Sequence, residues 1–182
     1  MAEKKYYRIS AAFTLTGTWY VNFLNHPTLG VGETQYVGRY SREIKGVLKI
    51  VFRLVGAPTS YSPEVRFLVV RMKKTMTGVG MLPDINEILI DPPSWGVSNY
   101  NRAYCPRIYS ILYDKLIVMA GQSGYGDRNH WERIVKFNFR NRLIRYGNSN
   151  EIVAGGPIYI LAISNETVIQ MQYDWNYYFN DS

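Results

Sequence analysis

The final segment of the chain, VIQMQYDWNYYFNDS at 168–182, constrains the fold more than any other stretch. Its bulky apolar side chains alternate with mostly polar ones, and a period of two is typical of a β-strand with one apolar face. One side of such a strand carries Ile169, Met171, Tyr173, Trp175, Tyr177 and Phe179. The other side carries Val168, Gln170, Gln172, Asp174, Asn176 and Tyr178. Chain ends fray unless other elements hold them, so the pattern predicts a long terminal strand that packs against the rest of the protein.

Segments of similar character fill most of the chain. In GVLKIVFRLVG at 46–56, apolar residues at the even positions lie opposite Lys49 and Arg53. The same reasoning predicts roughly eight strands. They lie at 14–25, 46–56, 64–74, 107–121 with a bend near Asp114, 133–141, 143–147, 156–164 and 168–182. Only 82–93 favours a helix, because Pro83 suits a first helical turn and Pro92 ends it. This all-β composition predicts a sandwich or a barrel.

The length and composition fit one soluble domain. The 182 residues are 47% hydrophobic, which is enough apolar surface for a core. No apolar run approaches the ~18 residues of a membrane span, and MAEKKYYRIS lacks the apolar centre of a signal peptide. We therefore expect no membrane partner and no secretion. Cys105 is the single cysteine, which excludes an internal disulfide.

The charge is positive and unevenly distributed. The chain has a formal net charge of +7. Basic residues are dense at 39–74 and at 133–145, and no lysine or arginine follows residue 145. The simplest interpretation is that strands carry solvated cations on their outer faces. The uneven distribution favours instead a polarised molecule over a uniform one, and the net charge permits a polyanionic partner without proving one.

The residues that usually carry catalysis are sparse. His26 and His130 stand alone, and no metal-binding histidine pair or phosphate-binding loop exists. Cys105 precedes a proline and has no neighbouring histidine that could activate it. We therefore expect no enzymatic activity, no cofactor, no metal site and no small-molecule substrate.

Aromatic residues make up 15% of the chain, and many lie in predicted loops. Large amphipathic rings outside a core are typical of contact surfaces, although a tyrosine-rich β core is the alternative. The candidates for a subunit interface are Trp95, Tyr100, Tyr104, Tyr125 and Trp131.

Several phrases, in this order, resemble the coat proteins of very small icosahedral viruses. They are VNFLNHPTLGVGETQYVGRYSREIKGVLKIVFRLVG at 21–56, RFLVVRMKK at 66–74, YCPRIYSILYDKLIVM at 104–119, KFNFRNRLIRYG at 136–147, GPIYILAISN at 156–165 and YYFND at 177–181. The resemblance is nearest to circular single-stranded DNA viruses of the circovirus, geminivirus and nanovirus kind, and more distant to satellite tobacco necrosis virus. It covers nearly the whole chain.

The resemblance implies an eight-stranded antiparallel jelly roll with one short helix, formed by residues 1–182 as a single capsid domain. Such a subunit assembles with copies of itself into a T=1-like shell around a genome, here single-stranded DNA or alternatively RNA. In this topology the last strand lies centrally in a sheet. The protein would reside in the virion and, during assembly, inside the host cell, with the nucleus as one location.

Many relatives begin with a long arginine-rich arm, whereas residues 1–10 form only a short basic segment with Lys4, Lys5 and Arg8. Either cations on an inward face hold the genome, or an arm lies outside this sequence, or the shell binds nucleic acid weakly. The further candidates for genome contacts are Arg39, Arg42, Lys45, Lys136, Arg140 and Arg142. The alternative function is a carbohydrate-binding jelly-roll lectin that stacks sugars on exposed aromatic rings.

Overall fold

Two sheets account for most of the ordered secondary structure. The computed structural model describes residues 4–24, 28–29, 35–36, 38–59, 62–73, 82–119, 130–147 and 152–181. The strands are β1 Lys4–Thr14, β2 Tyr20–Phe23, β3 Thr28–Leu29, β4 Gln35–Tyr36, β5 Tyr40–Leu54, β6 Glu64–Met72, β7 Tyr109–Val118, β8 His130–Tyr146, β9 Ile152–Ala154, β10 Ile158–Ser164 and β11 Ile169–Asp181. The helices are α1 Ile85–Ile88 and α2 Cys105–Ile108.

The strand order identifies the sandwich as a jelly roll. One sheet has the order β1-β11-β5-β8-β9, and the facing sheet has the order β2-β10-β6-β7. Without the short β3, β4 and β9, the strands follow the order 1-8-3-6 in one sheet and 2-7-4-5 in the other, and every neighbouring pair is antiparallel. This double Greek-key arrangement confirms the predicted all-β jelly roll.

The terminal strand lies inside its sheet, as predicted. β11 pairs with β1 on one side and with β5 on the other, so both edges of its backbone are hydrogen-bonded. The predicted ring-bearing row from Ile169 to Phe179 is buried throughout, and Trp175 is 0% exposed. Burying a large apolar side chain contributes about 1.5–3 kcal/mol, so this row supplies a large share of the core energy.

A glycine makes room for the largest of these side chains. Gly46 lies on the inward side of β5, and a Cβ atom placed there would approach Cη2 of Trp175 to 2.1 Å. The indole therefore occupies space that any other residue at position 46 would take. Phe137 packs against the same indole, with ring centroids 5.7 Å apart.

The outer side of the four-stranded sheet is covered by residues 82–108, which we call the cover segment. This segment contains α1, α2 and the turns between them. Together with the sheet it forms a second apolar cluster: Leu68, Val70, Met72, Ile88, Leu89, Cys105, Ile108, Tyr109, Tyr159 and Leu161. Every residue of β10 is buried because core packs against both of its faces. The equivalent outer side of the five-stranded sheet carries no such layer within the described residues.

The structure departs from the sequence prediction at four places. The strand predicted at 14–25 comprises the last residue of β1 and the separate strand β2, with residues 15–19 between them. The helix predicted at 82–93 is the single turn α1, and a second turn, α2, follows it, so there are two short helices rather than one. Residues 4–10, expected as a basic arm ahead of the first strand, belong to β1. The strands predicted at 133–141 and 143–147 are one strand, β8, with an irregular step where Arg140 and Asn141 adopt φ angles of 53° and 60°.

Candidate nucleic-acid interface

The outward side of β1, β11, β5 and β8 forms one continuous surface, which we call the open face. Strand register arranges its side chains in rows that cross the sheet. One row contains Tyr6, Tyr178, Lys45 and Asn138. The neighbouring rows are Arg8, Asn176, Val47 and Lys136 on one side, and Lys4, Asn180, Arg42 and Leu143 on the other.

The charge of the open face is strongly positive. Two of its cations are neutralised, since Arg8 bonds the Asp174 carboxylate at 2.8 Å and Lys49 lies 3.2 Å from Glu132. The other cations have no carboxylate partner among the described residues. They are Lys4, Arg42, Lys45, Arg53, Lys136 and Arg145. The hydrogen bonds from Arg8 hold the pKa of Asp174 below its usual value, so this pair stays ionised at neutral pH.

Two of these cations, Lys4 and Lys45, lie over one aromatic ring. Lys45 Nζ lies 4.6 Å from the centroid of the Tyr178 ring, and Lys4 Nζ lies 5.8 Å from it. Both distances are within the range of cation–π attraction. Beside this ring, Lys45, Lys136 and Asn138 line a depression of about 350 Å³. A second depression of about 460 Å³ lies farther along the sheet, where Ser10 and Ala12 are small.

Four predicted contact residues lie off the open face. Lys5 points inward, is 3% exposed, and pairs with Asp181 at 2.7 Å. Arg142 lies opposite Glu43, and burial together with the nearby Arg71 charge lowers its pKa. Arg39 is exposed just before β5. Arg140 is exposed in the irregular step of β8. The register thus brings Lys4, Arg42, Lys45 and Lys136 together on the open face, and the four residues named here lie elsewhere.

One of the basic residues at 39–74 has an internal role that sequence analysis missed. Arg71 is 2% exposed and lies between the sheets, where its Nη1 donates to Glu43 Oε2 at 2.6 Å and to the carbonyl of Gly155 at 2.9 Å. Tyr177 donates its hydroxyl to the other Glu43 oxygen at 2.9 Å. Burial and the Glu43 charge raise the pKa of Tyr177 well above its ordinary value. In β6, Arg71 lies two residues after the inward-facing Val69, so strand alternation predicts that Arg71 also points inward. This alternation is the sequence signal that could have revealed its internal role.

Arg66 likewise serves the structure rather than a free surface. It faces the cover segment, bonds the Asp114 carboxylate through two nitrogens at 3.2 and 2.8 Å, and donates to the carbonyls of Trp95 and Ser98. Tyr100 donates its hydroxyl to the same Asp114 at 2.5 Å. These bonds attach the cover segment to the sheet.

The predicted interface aromatics have different surroundings. Trp95 and Tyr100 pack against the second apolar cluster, and the ring of Trp131 lies 5.8 Å from that of Phe52. Tyr104 is 53% exposed on the cover segment. Tyr125 lies outside the described residues. The cover segment also exposes apolar side chains that the sequence analysis did not single out, at Leu82, Ile90 and Val97.

The described ranges hold no group of three or more histidine, cysteine or carboxylate residues that could bind a metal ion. Neither of the helices in these ranges has the length and apolar character needed to cross a membrane. Cys105 is buried in the second cluster, and this burial raises the pKa of its thiol.

Comparison of the sequence with known protein families and with curated proteins gives no match. Solved structures with a similar course of the chain include one titled Desmodium yellow mottle tymovirus, at 9% identity and a TM-score of 0.46, covering 100% of this chain and 89% of the other. Another is an empty virus-like particle of Cowpea Mosaic Virus, at 10% identity and 0.41, covering 97% and 83%. A third is the 60-mer BFDV capsid protein, at 8% identity and 0.37, covering 100% and 93%. At these identities and TM-scores the similarity says nothing by itself about function.

Proposed function

We propose that the protein is a viral capsid subunit that assembles with copies of itself into a small icosahedral, T=1-like shell around a nucleic-acid genome. The observation that carries the proposal is the inequality of the two sheet faces. The four-stranded sheet is covered by its own chain, whereas the five-stranded sheet has, among the described residues, an uncovered outer side that carries cations without carboxylate partners. A shell subunit needs two such different faces, one toward solvent and one toward a polyanion.

The charge supports this orientation of the subunit. The open face carries Lys4, Arg42, Lys45 and Lys136 without carboxylate partners among the described residues, and the chain has a net charge of +7. Phosphates neutralised by such cations release counterions whatever the base sequence. The open face would therefore point to the interior and hold single-stranded DNA or RNA. The cover segment would lie on the outside.

Contacts between copies have candidate surfaces on the cover segment and along the free edge of β8. Tyr104, Ile90 and Val97 are 53%, 63% and 85% exposed on the cover segment. Exposed apolar and aromatic side chains of this kind are typical of contact surfaces that a partner buries. Among the described residues, 130–138 of β8 have a strand partner on one side only, so their backbone is also open to a neighbour.

Assembly is tested by size-exclusion chromatography and negative-stain microscopy of the purified full chain. We expect uniform hollow particles. A strictly monomeric protein at high concentration would contradict the proposal. A small oligomer would instead suit the lectin alternative, which the burial of Trp95 and Tyr100 against the second cluster does not favour.

The genome-facing side is tested by the double variant Lys45→Ala with Lys136→Ala. Because both lysines are exposed on the open face, we expect less nucleic acid to copurify and the ratio of absorbance at 260 nm to that at 280 nm to fall. The control is Lys115→Ala, an exposed lysine on β7 in the other sheet. Equal ratios for the double variant and the control would show that the open face does not hold the genome.

A further inference from the structure

Two tyrosines stand out on the open face because strand parity places them away from both cores. In β1 and β11, Tyr7, Tyr173 and Tyr177 point inward and pack in the main cluster. Tyr6 and Tyr178 point outward, directly opposite each other, and neither belongs to an apolar cluster of the described residues. Tyr6 is 43% exposed. Packing within the chain therefore does not explain a ring at these positions.

Cations flank these rings. Lys4 and Lys45 hold their ammonium groups over Tyr178 at 5.8 and 4.6 Å, while Lys136 lies beyond Lys45 on the far side of a depression. The ring of Tyr6 lies next to this group; it makes no cation–π or ring–ring contact among the described residues, and its hydroxyl interacts electrostatically with Arg8. The same few residues thus combine an accessible aromatic ring with three unpaired positive charges.

We propose that the row of Tyr6, Tyr178, Lys45 and Asn138, which we call the Tyr6 row, binds single-stranded nucleic acid together with Lys4 and Lys136 of the two neighbouring rows. A base would stack on the Tyr6 ring, and phosphates would lie on Lys4, Lys45 and Lys136. The inference rests on the proposed function and adds to it the mode of contact, base stacking on a protein ring, by which the open face would select a single strand over a duplex. Aromatic platforms beside basic grooves are how proteins hold single strands without reading their sequence.

The chemistry favours a single strand over a duplex. Bases in a duplex are stacked on one another and paired, so their faces are closed to a protein ring, whereas unpaired bases can be splayed out onto one. The Tyr6 row crosses four strands and spans about 14 Å at the usual strand spacing, which is room for several nucleotides. A purely electrostatic surface would have no use for an exposed ring in its centre.

The test compares three ligands by fluorescence anisotropy at one fixed salt concentration. They are an oligothymidine, an abasic strand of the same length and charge, and a duplex of matched length. We expect the full chain to bind the oligothymidine more tightly than the abasic strand. The variant Tyr6→Leu should lose about tenfold in affinity for the oligothymidine and nothing for the abasic strand, because base stacking is lost and the charge is kept.

Two control variants separate stacking from other effects. Tyr6→Phe keeps the ring and should retain the wild-type affinity for the oligothymidine. Leu116→Ala removes an apolar side chain of similar exposure, 38%, on β7 in the other sheet and should also leave affinity unchanged. All variants should elute with the wild-type profile, which shows that folding and assembly are intact.

The inference is overturned if wild type binds the oligothymidine and the abasic strand equally, if Tyr6→Leu binds both as wild type does, or if the duplex is preferred. Its failure is distinguishable from that of the proposed function. Particles without any difference between the two single strands would refute stacking alone. Stacking by a protein that never forms particles would refute the shell alone.

Discussion

Replacing Gly46 with alanine should lower the free energy of unfolding, because the added Cβ would collide with the buried ring of Trp175. The added Cβ would approach three atoms of the Trp175 ring, Cη2, Cζ2 and Cζ3, to 2.1, 2.7 and 2.8 Å. Ordinary carbon contacts are about 3.5–4.0 Å, so the ring or the strand must move by more than an ångström. Trp175 is 0% exposed and packed against Phe137, which leaves the ring no free space to enter.

The magnitude follows from two opposing contributions. Overpacking a core costs about 1–3 kcal/mol, and a clash this deep belongs at about 3 kcal/mol. The loss of glycine entropy in the unfolded chain gives back about 0.4–1 kcal/mol. We therefore expect Gly46→Ala to lower the free energy of unfolding by about 2 kcal/mol, out of the ~5–15 kcal/mol of a typical domain.

Gly17 provides a matched control. It lies between β1 and β2, and an added Cβ there would meet no atom within 4 Å. Gly17→Ala should therefore leave the free energy of unfolding unchanged or raise it slightly. The measurement is urea unfolding followed by far-UV circular dichroism, at one low protein concentration where subunits are dispersed, because assembly would add to apparent stability.

A second substitution identifies the indole as the cause. Trp175→Phe removes the outer ring atoms that the new Cβ would meet, so in that background the cost of Gly46→Ala should fall below about 1 kcal/mol. The reasoning would be refuted if Gly46→Ala and Gly17→Ala unfolded at the same urea concentration. It would also be refuted if the cost of Gly46→Ala persisted without the indole.

Two further predictions concern charge. Arg71→Met removes the buried cation that bonds Glu43, which is 0% exposed, so it should cost about 3–5 kcal/mol of unfolding free energy in the same urea assay. Arg71→Met combined with Glu43→Leu should cost much less, and an equal cost would contradict the pairing. For the Asp174 carboxylate, hydrogen bonds from Arg8 lower the folded-state pKa, so its contribution is present above the unfolded pKa and is lost as pH falls through the folded one. Asp174→Asn should therefore remove a small part of the acid sensitivity below about pH 4 while leaving the alkaline side unchanged, as followed by thermal unfolding across pH.

Some elements of the fold could be read from the chain because side-chain parity is a local property. The row from Ile169 to Phe179 alternates strictly, and a strand that buries one face has no other way to place those rings. The helix at 82–93 was overestimated because Pro83 and Ile85 suggested a full amphipathic helix, whereas the segment turns repeatedly to cover a sheet. The sequence does not predict β1, because its inward positions include the small Ala11, which weakens the alternation of apolar and polar residues.

The composition of the candidate site could be predicted only in part. Sequence identified Lys45, Lys136 and Arg42 as genome-contact candidates, and the register places all three on the open face. It could not exclude Lys5, whose position one residue from Lys4 puts it on the buried side next to Asp181. It also passed over Tyr6, because an exposed tyrosine in a strand has no local signature that separates it from a core tyrosine.

The sequence by itself determined that this chain alternates into strands, carries an excess of positive charge and ends in a strand with an apolar face. Only the tertiary structure decided which strands are neighbours, which cations are buried and which sheet face stays open. The physical reason is the range of the interactions. Alternation acts between residues two apart, whereas the partner of Arg71 is 28 positions away and that of Lys5 is at the opposite end of the chain. No local pattern records which distant strand will arrive beside a given side chain.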